Sequence, residues 1–281
     1  MIVGVCWLAT TTACAGDNAA RPHESNAPPA PAQPQNEADA YAALRGSPHV
    51  LLGIPTDADP KDDYLMDKGA YVVSYSRGRN LANWVAWRLT ADDLGPEERA
   101  NNFRADDDLP PDFYRVRPTD YEGSGFDRGH LCPSSHRTKD ASANSLTFLM
   151  SNMQPQIHSL NAGPWKSLET HERELASKLG KHVYIVAGGL FADNPLTIAS
   201  KVPVPKANFR VTVVLEPEMA ARDVTAQTPV YAIEMPNDGS VRGRKWTEFQ
   251  VEVDDVELRT GYDFLTELPD AVEASVEARA P

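Results

Sequence analysis

The chain has 281 residues, with 27 Lys and Arg against 40 Asp and Glu and a formal net charge of −13. That balance disfavours holding a nucleic acid by bulk charge, while leaving room for a local basic cleft. Of the three Cys only Cys132 falls inside the expected domain, which excludes a disulfide-stapled fold and a Cys-cluster zinc site.

Residues 1–16, MIVGVCWLATTTACAG, carry no charge and are too short to cross a bilayer as a helix. They read as the apolar core and cleavage region of an export signal. Two routes stay open. Thr11-Thr12-Ala13-Cys14 is a lipoprotein-type site that would lipidate Cys14 and tether the protein to a membrane; Ala13-Cys14-Ala15 suits ordinary signal cleavage. Both predict an exported protein: secreted, periplasmic or membrane-tethered. Residues 17–47 are dominated by Pro, Ala, Asn and Gln, and bury too little apolar surface to offset their ordering entropy. They are expected to form a disordered linker, followed by one domain over 48–275.

Runs rich in Val, Ile and aromatics predict strands over 71–75, 84–89, 183–187, 209–215 and 230–235. Gly188-Gly189 and Pro236-Asn237-Asp238-Gly239 read as the turns between them. The clearest helix spans 161–179. Pro164 is tolerated only in its first turn, Gly180 ends it, and Leu168, Leu175 and Leu179 supply its apolar stripe. Shorter helices are expected over 253–260 and 270–278. The pattern is α+β, a central antiparallel sheet with helices packed on it.

Two segments carry unusual chemistry. In Asp127-Arg128-Gly129-His130 an acid, a guanidinium and an imidazole fall within four residues, and Gly129 permits close approach of a ligand or a strained φ. Taken singly, a His is more often an ordinary polar group, and Asp127 beside Arg128 is more often a structural pair. In the second segment Asn161, Trp165, Glu169 and Arg173 recur every four residues, which on a helix places them on one ridge. On spacing alone a solvated face with a Glu169–Arg173 pair is the simpler reading.

Together these segments resemble the DNA/RNA non-specific endonucleases of the ββα-metal family, the Serratia-type sugar-non-specific nucleases. The Asp127-Arg128-Gly129-His130 tetrad, the spacing from Asn161 to Glu169 to Arg173, and the upstream run Arg99-Ala100-Asn101-Asn102-Phe103-Arg104 carry the likeness. It extends from Leu51-Leu52-Gly53 through Ala82-Asn83-Trp84-Val85-Ala86-Trp87 to Thr260-Gly261-Tyr262-Asp263-Phe264-Leu265. The resemblance implies a metal-bearing helix beside a β-hairpin, with 148–150 as the second β element after that of His130. It implies Mg²⁺-dependent hydrolysis of DNA and RNA with little sequence preference, leaving 5′-phosphate ends, and Mn²⁺ as a substitute ion.

By the same resemblance His130 is the general base, Asn161 the metal ligand, and Glu169 a holder of metal-bound water or a direct ligand. Arg99, Arg128 and Arg173 bind the phosphate. Asp127 orients the hairpin or a neighbouring guanidinium, Asn152 supports the site through hydrogen bonds, and Trp165 belongs to the core. Lys166 and Arg137 are expected to add to a positive cleft within the acidic body. His136, His158, His171 and His182 match no usual zinc spacing, and Cys132 reads as a small packing residue. The competing functions are a non-catalytic nucleic-acid-binding lipoprotein on the same fold and a phosphodiesterase for smaller or lipid-linked phosphates. EDTA-sensitive nicking of plasmid separates the first; comparing polymer with a small diester separates the second.

Overall fold

The computed structural model describes residues 1–3 and 37–279, and the fold below is that of the compact unit of residues 34–281. Residues 4–16 of the expected export segment and most of the expected linker therefore lie outside the described residues. Helix α1 (Glu37–Leu44) leads into β1 (Tyr64–Asp67), β2 (Val72–Ser76) and β3 (Leu81–Leu89). Strand β4 (Asp127–His130) is separated from β5 (Met153–Gln156) by an excursion carrying α2 (Ala141–Leu146). A single turn, α3 (His158–Leu160), precedes α4 (Lys166–Leu179). Then come β6 (His182–Leu190), β7 (Thr197–Ile198), β8 (Val202–Pro203), β9 (Ala207–Leu215), β10 (Val230–Pro236) and β11 (Gln250–Val251), before α5 (Val253–Thr260) and α6 (Asp270–Glu277).

Seven strands form one antiparallel sheet in the order β1-β2-β3-β6-β9-β10-β11, while β4 and β5 pair separately. Both faces of the large sheet are covered, so its middle strands read as near-continuous apolar runs. Within β3, Trp84 and Ala86 enter one apolar cluster while Val85, Trp87 and Leu89 enter the other. The β2–β3 register slips between Ser74 and Tyr75, which leaves Asn83 as the extra residue of a bulge. Strand β9 divides differently. Phe209, Val211, Val213 and Leu215 join one core, and Asn208, Arg210 and Thr212, all fully buried, face the other side. That second face lies under α4 and the β4–β5 pair.

Several expectations change. The folded body starts before residue 48: α1 occupies the end of the expected linker, and Leu44 is buried in the core with Tyr41 packed against it. It also runs past 275, because Val276 of α6 is buried. Gly188 and Gly189 are not a turn but lie inside β6, where side chains have no room. A Cβ at Gly188 would sit 2.4 Å from the Asn83 carbonyl oxygen, and one at Gly189 2.6 Å from Gln154 Oε1. The regular helix begins at Lys166, since Pro164 offers no N–H and Gly163 breaks helical geometry (φ −103°, ψ −119°). Gly180, at φ 66°, closes that helix as expected, but Leu179 is exposed. Its buried face carries Leu168, Glu172 and Ala176.

Candidate active site

His130 ends β4, and the β4–β5 register sets Asp127 opposite Gln156 and His130 opposite Met153. The second β element is thus Met153–Gln156 and not 148–150, where Leu149 makes only an isolated bridge to Arg104. Pro155 hides this strand in the sequence, because a residue without an N–H is tolerated only at an edge, and a two-stranded ribbon is all edge. Gly129 has its close approach from within: a Cβ there would lie 2.3 Å from Gln156 Oε1, so the neighbour is this side chain and not a ligand.

The hairpin is tied to the body at several points. Trp165, fully buried, donates its Nε1–H to the His130 carbonyl (3.1 Å). Asn152 accepts the Cys132 N–H (3.0 Å) and donates to the carbonyls of Cys132 and Thr147 (both 2.8 Å). Asn208 of β9 donates to Gln154 Oε1 at 2.7 Å. Cys132 is buried beside His130, and burial pushes its thiol up to about 12, which leaves it a packing residue.

His130 is only 6% exposed. Its ring meets Phe148 edge-on (5.0 Å between centroids) and Phe103 (5.7 Å). The same two rings carry guanidinium groups, Arg128 lying 4.3 Å over Phe103 and Arg99 4.8 Å over Phe148. Phe103 and Phe148 therefore hold an imidazole between two cations. Burial first, then Arg99 and Arg128, depress the imidazole to about 3, so it is neutral throughout the physiological range. Among the described residues its enclosed Nε2 has no hydrogen-bond partner.

Asn161 stands in the wide turn before α4, where it donates Nδ2–H to Asp127 Oδ2 at 2.9 Å. His158 Nδ1 approaches the same oxygen at 2.9 Å. Among the described residues, the Asn161 Oδ1 accepts no hydrogen bond. Glu169, in the first turn of α4, faces Arg210 (3.9 Å) and not Arg173. Burial pushes its carboxyl up to about 7, against the pull of Arg210. An amide oxygen and a carboxylate of this kind are the donors a hard divalent cation takes, and Asn161 and Glu169 fit such an ion.

These groups meet. Arg99, Arg128, His130, Asn161, Lys166, Glu169 and Arg173 line one cleft of about 540 Å³. A neighbouring depression of about 360 Å³, walled by Tyr121, Phe126 and Asp127, shares Arg99, Arg128 and Asn161 with it. Four cations and one acid thus line the cleft of a chain whose net charge is −13. Arg137 takes no part in it. Its guanidinium is buried on the carbonyls of Ala70, His136 and Arg88. The ridge of four also dissolves: Trp165 points into the core, and Asn161 reaches the cleft from the turn.

A second layer was missed by the sequence reading. Arg210 of β9 is fully buried, donates to Glu172 Oε2 (2.7 Å) and to the Leu131 carbonyl (3.1 Å), and stacks 4.2 Å over Trp165. Thr212 donates to the other Glu172 oxygen at 3.0 Å. His136, also buried, accepts from Trp87 Nε1 (3.2 Å) and meets the Glu169 carbonyl (2.8 Å). Since the Trp N–H only donates, the His136 proton sits on Nε2. The one advance signal for Arg210 was a charged residue at an alternating position of an otherwise apolar strand.

Comparison with known proteins agrees with this geometry. The sequence profile described as DNA/RNA non-specific endonuclease matches residues 52–271. A nuclease from Nostoc sp. is 44% identical over 239 residues, covering 83% of this chain and 86% of its own. The Serratia marcescens nuclease is 29% identical, covering 84% and 87%. Human mitochondrial endonuclease G is 30% identical, covering 72% and 69%. Among solved structures, the EndoG chain of an EndoG/EndoGI complex, described as showing the mechanism of EndoG inhibition, superposes with a TM-score of 0.68 at 26% identity, covering 80% of this chain and 92% of that one. On the profile match and the Nostoc relative, with the cleft that unites hairpin and helix, this chain belongs to the DNA/RNA non-specific endonuclease family and is an endonuclease of the ββα-metal fold.

Proposed function

We propose that the protein is an exported nuclease that hydrolyses DNA and RNA with little sequence preference, using Mg²⁺ and leaving 5′-phosphate ends. The observation that carries this reading is the convergence of His130, Asn161, Glu169 and three Arg on one cleft. Phosphodiester hydrolysis requires an activated water, charge stabilisation at phosphorus and a stabilised leaving oxygen. The neutral imidazole of His130 accepts the proton of the attacking water. Arg99, Arg128 and Arg173 bind the phosphate oxygens, and guanidinium groups keep their charge at any working pH. Asn161 and Glu169 hold the divalent ion, directly or through its waters. When bound, that ion polarises the phosphate and stabilises the leaving 3′ oxygen. Breaking the P–O3′ bond leaves a 3′-hydroxyl and a 5′-phosphate.

Low sequence selectivity accords with a cleft whose charged groups address phosphate and not base edges. Export rests on the apolar run 1–16, with Cys14 as a lipid-modified tether in one of its two routes. Among the described residues no helix is long and apolar enough to cross a membrane. The test is supercoiled plasmid and a structured RNA incubated with Mg²⁺, with and without EDTA, for the wild type and His130→Ala. The expected result is EDTA-sensitive cleavage of both substrates and a loss of about 10²–10⁴-fold in the variant. A wild type that binds both without nicking either is the non-catalytic binder, and near-wild-type turnover in His130→Ala removes the assigned base.

A further inference from the structure

The depression beside the cleft takes no part in the hydrolysis itself, yet it opens directly from the catalytic groups. It shares Arg99, Arg128 and Asn161 with the cleft, and Pro118, Tyr121, Glu122, Phe126 and Asp127 line the rest of it with Phe103. A third depression of about 350 Å³ continues from it and shares Glu122 and Phe126. These two residues therefore stand at the end away from the catalytic groups. The cations run out in the same direction. Four line the cleft, two of these also line the depression, and none lines the third. Acids take their place, Glu122 and Asp127 in the second depression and Asp120 and Glu122 in the third.

Phe126 differs from the other two aromatic rings of this region. Phe103 and Phe148 are engaged by His130, Arg128 and Arg99. Phe126 is half-buried, and among the described residues its ring meets no other ring and no cation at stacking distance. It is nonetheless held in place. The side chain packs against the apolar cluster that contains Tyr121 and Met153. Ser124 Oγ donates to the Tyr121 carbonyl at 2.7 Å and accepts the Phe126 N–H at 3.1 Å, and the next residue opens β4. An aromatic face is thus fixed one residue before Asp127, at the mouth of the catalytic cleft.

We propose that Phe126 stacks the base of the nucleotide adjoining the scissile phosphate, and that the depression is the pocket for that base and its sugar. The inference rests on the nuclease reading of the cleft. A phosphate held by Arg99 and Arg128 leaves its neighbouring nucleoside within reach of the depression, which those two residues also line. A further phosphate is the wrong occupant there, because Glu122 and Asp127 repel it. A base is uncharged and offers a π-face. The volume of about 360 Å³ lies at the lower end of the roughly 300–1,000 Å³ typical of small-ligand pockets, which suits one nucleoside. Stacking of this kind tolerates every base, so it accords with low sequence selectivity.

The experiment is cleavage of an end-labelled single-stranded DNA oligonucleotide carrying one abasic residue, mapped linkage by linkage against the intact strand. It is run with the wild type, Phe126→Leu, which keeps apolar bulk against the core without a π-face, and Phe126→Trp. In the wild type the missing base is expected to slow one of the two flanking linkages about 5- to 100-fold. Phe126→Leu should cut intact and abasic strands alike at that slowed rate, and Phe126→Trp should keep the base dependence. Equal rates on both strands in the wild type overturn the proposal without any variant having to fold, as does undiminished base dependence in folded Phe126→Leu. Binding in EDTA of the intact strand and a wholly abasic strand of equal length, followed by fluorescence anisotropy, separates this site from the nuclease reading. Tighter binding of the intact strand that Phe126→Leu abolishes, in a protein that cleaves neither strand, removes the nuclease reading and keeps the base site. Cleavage without base dependence in either assay removes the base site and keeps the nuclease.

Discussion

Asp127 Oδ2 accepts the Asn161 Nδ2–H at 2.9 Å, and this one hydrogen bond decides which end of the amide faces the cleft. With the NH₂ committed to a carboxylate, the amide oxygen is left as the free donor atom. The acid of the tetrad thus acts on the helix side of the site, across the gap between β4 and the turn before α4.

Asp127→Ala should therefore loosen metal binding more than it slows the bound enzyme. A Mg²⁺ titration of plasmid nicking is expected to show a half-maximal concentration raised about 10–100-fold, as for loss of a group that orients a metal ligand. The rate at saturating Mg²⁺ should fall less. Unchanged Mg²⁺ dependence would detach Asp127 from Asn161.

Gly129→Ala should push the hairpin strands apart, because the new Cβ would fall 2.3 Å from Gln156 Oε1 and 2.4 Å from its Cδ. The expected cost is about 1–3 kcal/mol of stability together with lost activity. Gln156→Ala in the same chain removes the obstacle and should restore both. Denaturant unfolding and nicking assays on the single and double variants check this.

Arg210→Met strands Glu172, whose carboxylate is fully buried, and should cost about 3–5 kcal/mol in urea unfolding. Thr212→Val removes only one neutral donor and should cost about 1–3 kcal/mol. Replacing Arg210 and Glu172 together by apolar residues should recover most of the loss, since it is the lone charge that is intolerable.

Metal affinity should depend on pH through Glu169. Burial raises its carboxyl to about 7, so below that pH the metal-free cleft holds the acid and above it the carboxylate. Binding an ion releases the proton, and apparent Mg²⁺ affinity should climb by up to about tenfold per pH unit from pH 5 to 7, then level. By linkage, a raised carboxyl contributes stability that is full below its unfolded value and lost as pH rises through 7, so the metal-free protein should be slightly less stable at pH 8 than at pH 6 on this account. The depressed imidazole of His130 does not titrate in this window. Glu169→Gln should flatten the metal profile.

What was legible in the sequence was what local rules govern. The strands 84–89 and 209–215 were found because their apolar alternation or continuity reports directly on burial, and both lie within longer observed strands. Helix α5 was read residue for residue, and Gly180 ended α4 where it should. The errors have physical causes. Strand β5, Met-Gln-Pro-Gln, has no strand propensity and is held by pairing with β4 and by Asn208. Gly188-Gly189 carries the punctuation of a turn, yet it serves packing against Asn83 and Phe209. Arg137 looked like a cleft cation because nothing local marks a guanidinium as buried on distant carbonyls.

The sequence by itself offered the chemistry of the site: an imidazole, an amide, a carboxylate and three guanidinium groups in three segments that together mark the family. Only the tertiary structure decided how they act together. It set Phe103 and Phe148 around His130, turned Asn161 against Asp127, seated Arg210 beneath α4, and gathered four cations into one cleft of an acidic protein. The reason is that residue type sets what a group can do, whereas burial, charge neighbours and hydrogen-bond partners set its protonation and direction. Those come from chain segments far apart in sequence, which no local pattern records.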